Sequence, residues 1–139
     1  MELQCTVAVN AAKEKIWPYW ADVAKRHVWE EDLESFVLDG ETTTGTVGRM
    51  KLKGLPEMPF VLEEIVENVS YAERFEVPGQ GNLFFRHEIL ERDGKTFIRH
   101  AVRLDKDLFT EEDAGFLAGV FADFPASVLK IKTEAEAEK

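Results

Sequence analysis

The sequence predicts an α+β protein with a seven-stranded antiparallel sheet, two short helices after the first strand and a long helix at the C-terminus. Three observations support this prediction. Apolar residues alternate with period two in several short runs. The segments between neighbouring runs from residue 33 onward are too short for parallel crossovers. Apolar residues also recur at helical spacing near both ends of the chain. We expect one domain over residues 1–139, because this length suits a single ordinary domain.

The first strand is predicted at residues 2–9, with its odd-numbered residues on one buried face. Asn10 is placed to cap the helical segment that follows, and Pro18 should divide that segment into two short helices because proline lacks an amide donor. Cys5 is the only cysteine, so an internal disulfide is excluded. We interpret Cys5 as a small buried hydrophobe.

Six further strands form a predicted meander. They cover residues 33–38, 46–52, 59–67, 71–77, 82–92 and 95–104. Asp93-Gly94 is a strong signal for a two-residue hairpin, because a type I′ turn needs positive φ at both central positions. This turn pairs Arg92 with Lys95, and counting back from that pair places His87 directly opposite His100.

The preceding hairpin extends this pair to a third strand. If Val77 pairs with Leu83 across a loop at residues 78–82, Glu73 faces His87, and Glu73, His87 and His100 lie abreast on the apolar face. Burial disfavours charge on all three groups and a carboxylate favours one imidazolium, so we expect one shared positive charge near neutral pH. Such a row can orient a ligand or transfer a proton, but its linear geometry is poor for zinc, and we expect no metal.

The last element is a long helix that opens with a capping box at residues 110–113. Pro125 is expected to kink it. Its apolar residues recur at helical spacing and form one broad face: Phe116, Leu117, Val120, Phe121, Phe124, Val128 and Ile131. Gly115 and Gly119 suggest close packing or room for a ligand on this helix. Residues from about 133 to 139 lack an apolar stripe and should form a solvated or frayed end.

The charge excludes several classes of partner. The chain has 17 basic and 27 acidic residues, a formal net charge of −10, which repels phosphate backbones and anionic lipid surfaces. The longest apolar run, residues 114–122, is far short of the roughly 20 residues that span a bilayer. The N-terminus lacks the basic and hydrophobic regions of a signal peptide. We therefore expect a soluble, cytoplasmic protein with no nucleic-acid or membrane partner.

The order of elements resembles the START-like fold, that of the Bet v 1 or polyketide cyclase/dehydrase superfamily (SRPBCC). The motifs that carry the resemblance are AAKEKIWPYWADV, the following Trp29, GTVGRMKLKG, FRHEI and FPASVLKIK, and it covers nearly the whole chain. At Arg26-His27 the sequence departs from the Trp-Pro often seen in such proteins. The resemblance implies a helix-grip fold, in which a curved sheet holds the long helix, and an internal cavity for a small apolar molecule.

The superfamily includes carriers, cyclases, oxygenase subunits and chaperone cofactors, so the resemblance does not select one function. Our first hypothesis is a carrier or sensor, monomeric or homodimeric, that binds a small hydrophobic molecule without a cofactor. Its cavity would be lined by Tyr71, Phe75, Phe85, Ile89, Ile98, Val102, Met50, Leu52, Trp29, Val120 and Phe124.

The second hypothesis is a polyketide cyclase/dehydratase-like enzyme in the same cavity. His87 or His100 would act as acid or base, with Glu73 beside them. The alternative for these three residues is a polar wall that orients a ligand or does no chemistry, since buried ionic networks perturb pKa values without being active sites. A third hypothesis, an interaction module with an acidic surface, would be favoured by a solid core.

Overall fold

The structure, a computed structural model, describes residues 1–138. It contains one seven-stranded antiparallel sheet in the strand order β1-β7-β6-β5-β4-β3-β2. The strands are β1 (Glu2–Val9), β2 (Leu33–Leu38), β3 (Val47–Leu52), β4 (Met58–Val66), β5 (Ser70–Val77), β6 (Gly81–Arg92) and β7 (Lys95–Asp105). The predicted fold class is confirmed, and each strand begins and ends within one residue of its predicted bounds.

Short helices follow β1, as predicted. They are α1 (Lys13–Ile16), α2 (Pro18–Ala21) and a 3₁₀ helix (Val23–Val28). Pro18 begins α2, which confirms the predicted division. The predicted cap at Asn10 is wrong, because Ala12 precedes α1 and makes no side-chain cap bond. The backbone N–H of Asn10 instead donates a hydrogen bond to Glu136 Oε2 at 2.8 Å.

The C-terminal cover consists of two helices, α3 (Glu111–Phe121) and α4 (Phe124–Ala137). The capping box is confirmed, since the Asp113 amide donates to Thr110 Oγ1 at 3.2 Å and the Thr110 amide donates to Asp113 Oδ2 at 2.8 Å. The expected kink is a break at residues 122–123, with Pro125 in the first turn of α4.

The expected frayed end is wrong for the described part of the chain. Helix α4 continues through Ala137, and Ala135 is fully buried. Beyond the helix, Glu138 Oε2 accepts a hydrogen bond from the Tyr19 hydroxyl at 3.1 Å. These contacts hold the end of the chain against α2. Lys139 lies outside the described residues.

The helices pack onto the inner face of the sheet around the three tryptophans. Trp17, Trp20 and Trp29 are 9%, 0% and 6% exposed and belong to the core. From the C-terminal cover, Leu117 and Ile131 are fully buried in the same cluster.

The C-terminal cover is nevertheless incompletely buried. By length and composition alone the segment Glu111–Ala137 could cross a membrane, which a count of unbroken apolar runs does not reveal, and only 17% of its most apolar stretch is buried. Gly115 and Gly119 are exposed, and a methyl group added to either would meet no atom within 4 Å. They are not sites of close packing, and they weaken α3 because glycine is a poor helix former.

Substituting Gly115→Ala or Gly119→Ala should therefore raise the free energy of unfolding by about 0.5–1 kcal/mol each. Urea denaturation followed by circular dichroism measures this change. The control is Gly48→Ala, which should destabilise the protein because its Cβ would lie 2.5 Å from the Val37 carbonyl oxygen and 2.6 Å from the Phe60 ring. If either alanine lowers the free energy of unfolding instead, its methyl group must meet another group, and the surface of α3 at that position is not free.

Candidate functional site

The histidine pair lies where the hairpin turn predicts it. Asp93 and Gly94 have φ angles of 52° and 75°, as a type I′ turn requires. Arg92 pairs with Lys95, and His87 pairs with His100. The imidazole centroids are 4.6 Å apart, and both residues are buried. The predicted contact between the histidines is confirmed.

The neighbouring hairpin has a shorter loop than the sequence suggested. Val77 pairs with Gly81, not with Leu83, which leaves residues 78–80 as the loop. Gly79 has a φ of 78° in this loop, a conformation that glycine adopts without strain. The register of β5 against β6 therefore differs from the prediction by two residues.

This shift changes the row beside the histidines. Tyr71 faces His87, and Glu73 faces Phe85 on the same strand pair. The predicted row of Glu73, His87 and His100 is wrong. Because a shift of two residues preserves the side of the sheet, Glu73 remains on the inner face and is 2% exposed.

The space above the histidines is filled by aromatic side chains. The Trp20 and Trp29 rings lie between 5.1 and 5.8 Å, centroid to centroid, from both imidazoles. Trp20 Nε1 donates a hydrogen bond to His100 Nε2 at 3.0 Å, and His87 Nδ1 lies 3.0 Å from the Tyr71 carbonyl oxygen. The rings are thus covered and held by bonds within the protein.

Both histidines are neutral near neutral pH. Burial, followed by the positive charge of Arg26, lowers the pKa of His87 to about 3. Burial, then His87 and Arg26, lowers the pKa of His100 well below its usual range. The expected single shared positive charge is therefore wrong, because burial and the positive charge of Arg26 both favour the neutral rings.

Arg26, the source of that charge, is a buried residue that sequence analysis missed. It lies on the 3₁₀ helix and is 1% exposed. Arg26 Nε donates to Glu30 Oε1 at 2.7 Å, and Arg26 Nη2 donates to Glu73 Oε1 at 3.3 Å. The only sequence signal was the presence of Arg26-His27 where related folds often have Trp-Pro.

Aromatic rings surround the Arg26 guanidinium. Its central carbon lies 4.2 Å from the ring centroid of Phe36, 4.9 Å from that of Trp29 and 5.4 Å from that of Tyr71. These are cation–π distances, at which the ring faces stabilise a desolvated cation. The cluster of Arg26, Glu30, Glu73 and Tyr71 is called the arginine cluster below.

In the arginine cluster the Tyr71 hydroxyl and Glu73 Oε2 are buried, and neither makes a hydrogen bond of good geometry within residues 1–138. The Tyr71 hydroxyl nevertheless lies close enough to Glu73 and Arg26 for weak hydrogen bonds that affect the pKa of Glu73 and of Tyr71. Burial raises the pKa of Glu73 to about 7, although the charge of Arg26 acts in the opposite direction. Burial and the Glu73 charge raise the pKa of the Tyr71 hydroxyl.

The expected cavity-lining residues lie on the inner face of the sheet and on the helices above it. Tyr71, Phe75, Ile89, Ile98, Val102, Met50 and Trp29 are buried, and Phe85, Leu52, Val120 and Phe124 are half-buried. Many of them pack against one another. Two shallow surface pockets, one between the 3₁₀ helix and α4 and one near the turn at Gly94, contain none of these residues.

A continuous row of phenylalanine rings links the arginine cluster to the break between α3 and α4. Successive centroids are 5.0 to 6.2 Å apart. The row comprises Phe36, Phe60, Phe75, Phe85, Phe124 and Phe121. Its last members are half-buried. We call this the aromatic row; it joins a half-exposed helix junction to a buried polar site.

Comparison with known proteins gives the fold. No family model and no curated protein matches the sequence. The Aha1 dimer from Colwellia psychrerythraea matches with a TM-score of 0.73 and 14% identity, over 100% of this chain and 98% of that chain. Protein MLL2253 from Mesorhizobium loti matches with a TM-score of 0.78 and 10% identity, over 100% and 99%. Ara h 8.0201 matches with a TM-score of 0.72 and 13% identity, over 99% of both chains.

The chain therefore has the Bet v 1-like, START-like helix-grip fold, as the resemblance implied. At these identities the likeness shows the fold alone, and function has to be argued from the site.

The neutral histidines predict a specific loss of stability in acid. The pKa of His87 is about 3 in the folded protein, against 6.5 for an ordinary histidine. Its contribution to stability is therefore present above pH 6.5 and is lost as the pH falls toward 3. The substitution His100→Gln keeps an acceptor for Trp20 and removes one such group, so the loss between about pH 7 and pH 4 should be smaller than in the wild type.

Urea denaturation at several pH values measures this effect. The exposed His27 provides the control, since His27→Gln should leave the pH dependence unchanged. Nuclear magnetic resonance of the imidazole nitrogens gives a direct test. A His87 side chain that gains its proton between about pH 6 and pH 7 would contradict the buried neutral pair.

Proposed function

We propose that the protein binds a small hydrophobic or aromatic molecule between the sheet and the C-terminal helices, as a carrier or sensor. The aromatic row carries this proposal, because it offers a continuous apolar path from Phe121 and Phe124 at the helix break to Phe75 inside the fold. Bet v 1-like folds commonly bind hydrophobic ligands, which supports the same location.

The ligand would enter by displacing α3. The helix contains the exposed Gly115 and Gly119, and it is separated from α4 by the break at residues 122–123. Apart from the fully buried Leu117, its large apolar residues are only half-buried, and segments with few buried contacts are those that open at low free energy. Because aromatic side chains fill the core beneath, the volume for a ligand would come from movement of this cover.

Catalysis by the histidines has weaker support. A cyclase or dehydratase reaction needs His87 or His100 to exchange protons near neutral pH. Both have strongly lowered pKa values, and Trp20 and Trp29 cover their rings. The histidine pair is better explained as a buried support for the two tryptophans.

The proposal is tested with N-phenyl-1-naphthylamine, a neutral hydrophobic dye whose fluorescence rises in apolar sites. We expect saturable binding at one site per chain. Phe85→Leu should weaken binding about three- to tenfold, because an aromatic contact in the row contributes roughly 0.5–1.5 kcal/mol. Fluorescence titration measures the dissociation constant.

The adjacent residue supplies a matched control. Phe84 is also half-buried, but it lies on the outer face of the sheet, with its ring centroid 4.2 Å from the Arg103 guanidinium. Phe84→Leu should leave dye binding unchanged. Equal weakening by both substitutions would place the dye elsewhere. The absence of saturable binding would reject the proposal and favour an interaction module acting through the acidic surface.

A further inference from the structure

We propose that the free edge of the sheet at β2 binds an extended polypeptide segment with an apolar centre and basic ends, which adds to the sheet as an eighth strand. This interaction goes beyond the proposed function and does not depend on it. Three observations carry it: backbone groups of β2 that point away from the sheet, an apolar strip beside them, and carboxylates at both ends of the strand.

The two edge strands of the sheet differ in what packs against them. β1 and β2 are the two ends of the strand order. Helix α4 packs against β1, whereas β2 packs mainly against β3 and the 3₁₀ helix. Proteins commonly protect an open edge with lysine, proline, a bulge or a covering helix. β2 contains no lysine or proline, and its bulge lies at its start, between Leu33 and Ser35. The rest of β2 is therefore a regular open edge.

The backbone groups of Phe36 and Leu38 point to this open edge. Asp39 N–H donates a hydrogen bond to the Val47 carbonyl oxygen at 2.9 Å, so these two residues form a hydrogen-bonded pair. Such pairs alternate with non-hydrogen-bonded pairs along antiparallel strands, and Phe36 and Leu38 belong to the second kind. Their N–H and C=O groups consequently point away from β3. A strand placed there would bond to both residues, as in β-strand addition by peptide-binding domains.

An apolar strip lies beside the β2 edge on the outer face of the sheet. Val37 and Val47 are 44% and 52% exposed. Val47 lies opposite Val61 on β4, and Val37 is its diagonal neighbour on β2. A strand added to β2 would place one of its side chains directly opposite Val37. An apolar side chain at that position would remove exposed apolar surface from water.

Carboxylates surround the same edge. Residues 29–48 contain no lysine or arginine, and their acidic residues are Glu30, Glu31, Asp32, Glu34, Asp39 and Glu41. Four of these form ion pairs with basic residues of other segments. Asp32, just before β2, and Glu41, shortly after it, are exposed and form no ion pair within residues 1–138. Each end of the edge therefore has an uncompensated negative charge.

These charges favour a basic partner. Lysine or arginine at the ends of the added strand would lie near Asp32 and Glu41, and the net charge of −10 attracts a cationic segment over a longer range. A second copy of this chain fits less well. Antiparallel pairing of two β2 edges would bring Asp32 of one copy near Glu41 of the other, and Glu34 near Asp39. Like charges on neighbouring strands are destabilising.

Three fluorescently labelled peptides test the proposal: KKTVTVTKK, EETVTVTEE and KKTVPVTKK. The second reverses the charge of the ends. The third keeps the charge, but its central proline removes an amide donor and disfavours strand pairing. Fluorescence anisotropy at low ionic strength gives the dissociation constants. We expect KKTVTVTKK to bind about tenfold more tightly than either of the others.

Charge reversal in the protein locates the bound peptide. Glu41→Lys should weaken binding of KKTVTVTKK about fivefold, because it places a like charge beside one basic end of the peptide. Glu2→Lys is the matched control. It makes the same change in charge at an exposed residue of β1, the opposite edge of the sheet, and should change the dissociation constant far less.

Amide hydrogen exchange tests the strand pairing directly. In the free protein the amides of Phe36 and Leu38 should exchange faster than those of Val37 and Asp39, which face β3. Bound KKTVTVTKK should slow exchange at Phe36 and Leu38 by about tenfold or more, whereas EETVTVTEE at the same concentration should not.

Four results would overturn the proposal. KKTVTVTKK does not bind saturably, or EETVTVTEE binds equally well. KKTVPVTKK binds equally well, which would indicate attraction between charges without strand pairing. Glu2→Lys weakens binding as much as Glu41→Lys, which would place the peptide elsewhere. Protection of the Phe36 and Leu38 amides that rises with protein concentration in the absence of peptide would assign the edge to a second copy of the chain.

Discussion

The ion pair between Arg26 and Glu73 fixes the arrangement on which both candidate sites depend. It joins the 3₁₀ helix to β5 across 47 residues of sequence. Both partners are buried, so removing either one would leave an uncompensated charge away from water. The guanidinium also holds Trp29 and Phe36 against itself. In this position Trp29 covers the histidine pair on β6 and β7.

The positive charge of Arg26 has different consequences for the two buried histidines and for Glu73. Beside Arg26 the two imidazoles lose their protons, because burial and a nearby cation act in the same direction on a base. For Glu73 burial and the cation act in opposite directions, and burial prevails, so that its pKa is raised to about 7. Glu73 is therefore the one of these three groups whose pKa is raised toward neutral pH, whereas the pKa values of both histidines are lowered away from it.

The difference between predicted and observed structure follows from the physics of turns and of distant pairs. The Asp93-Gly94 hairpin could be predicted because its two turn residues determine the register of His87 and His100. The longer loop before β6 fixes register only weakly, and a shift of two residues satisfies the same alternation of faces. Arg26 could not be found by periodicity, since a charged residue in a helical turn is usually exposed. Its burial depends on partners that only the tertiary structure brings near.

The features that lower the stability of the protein lie along one path. The exposed glycines weaken α3, the break at residues 122–123 separates it from α4, and the poorly hydrogen-bonded polar atoms of Tyr71 and Glu73 lie at the inner end of the aromatic row. Elsewhere the arrangement is locally consistent, as the capping box of α3 and the docked end of α4 show. Natural proteins commonly retain such costs at functional sites. Their alignment, from α3 to the arginine cluster, supports the proposal of a ligand site along the aromatic row more than one at the histidine pair.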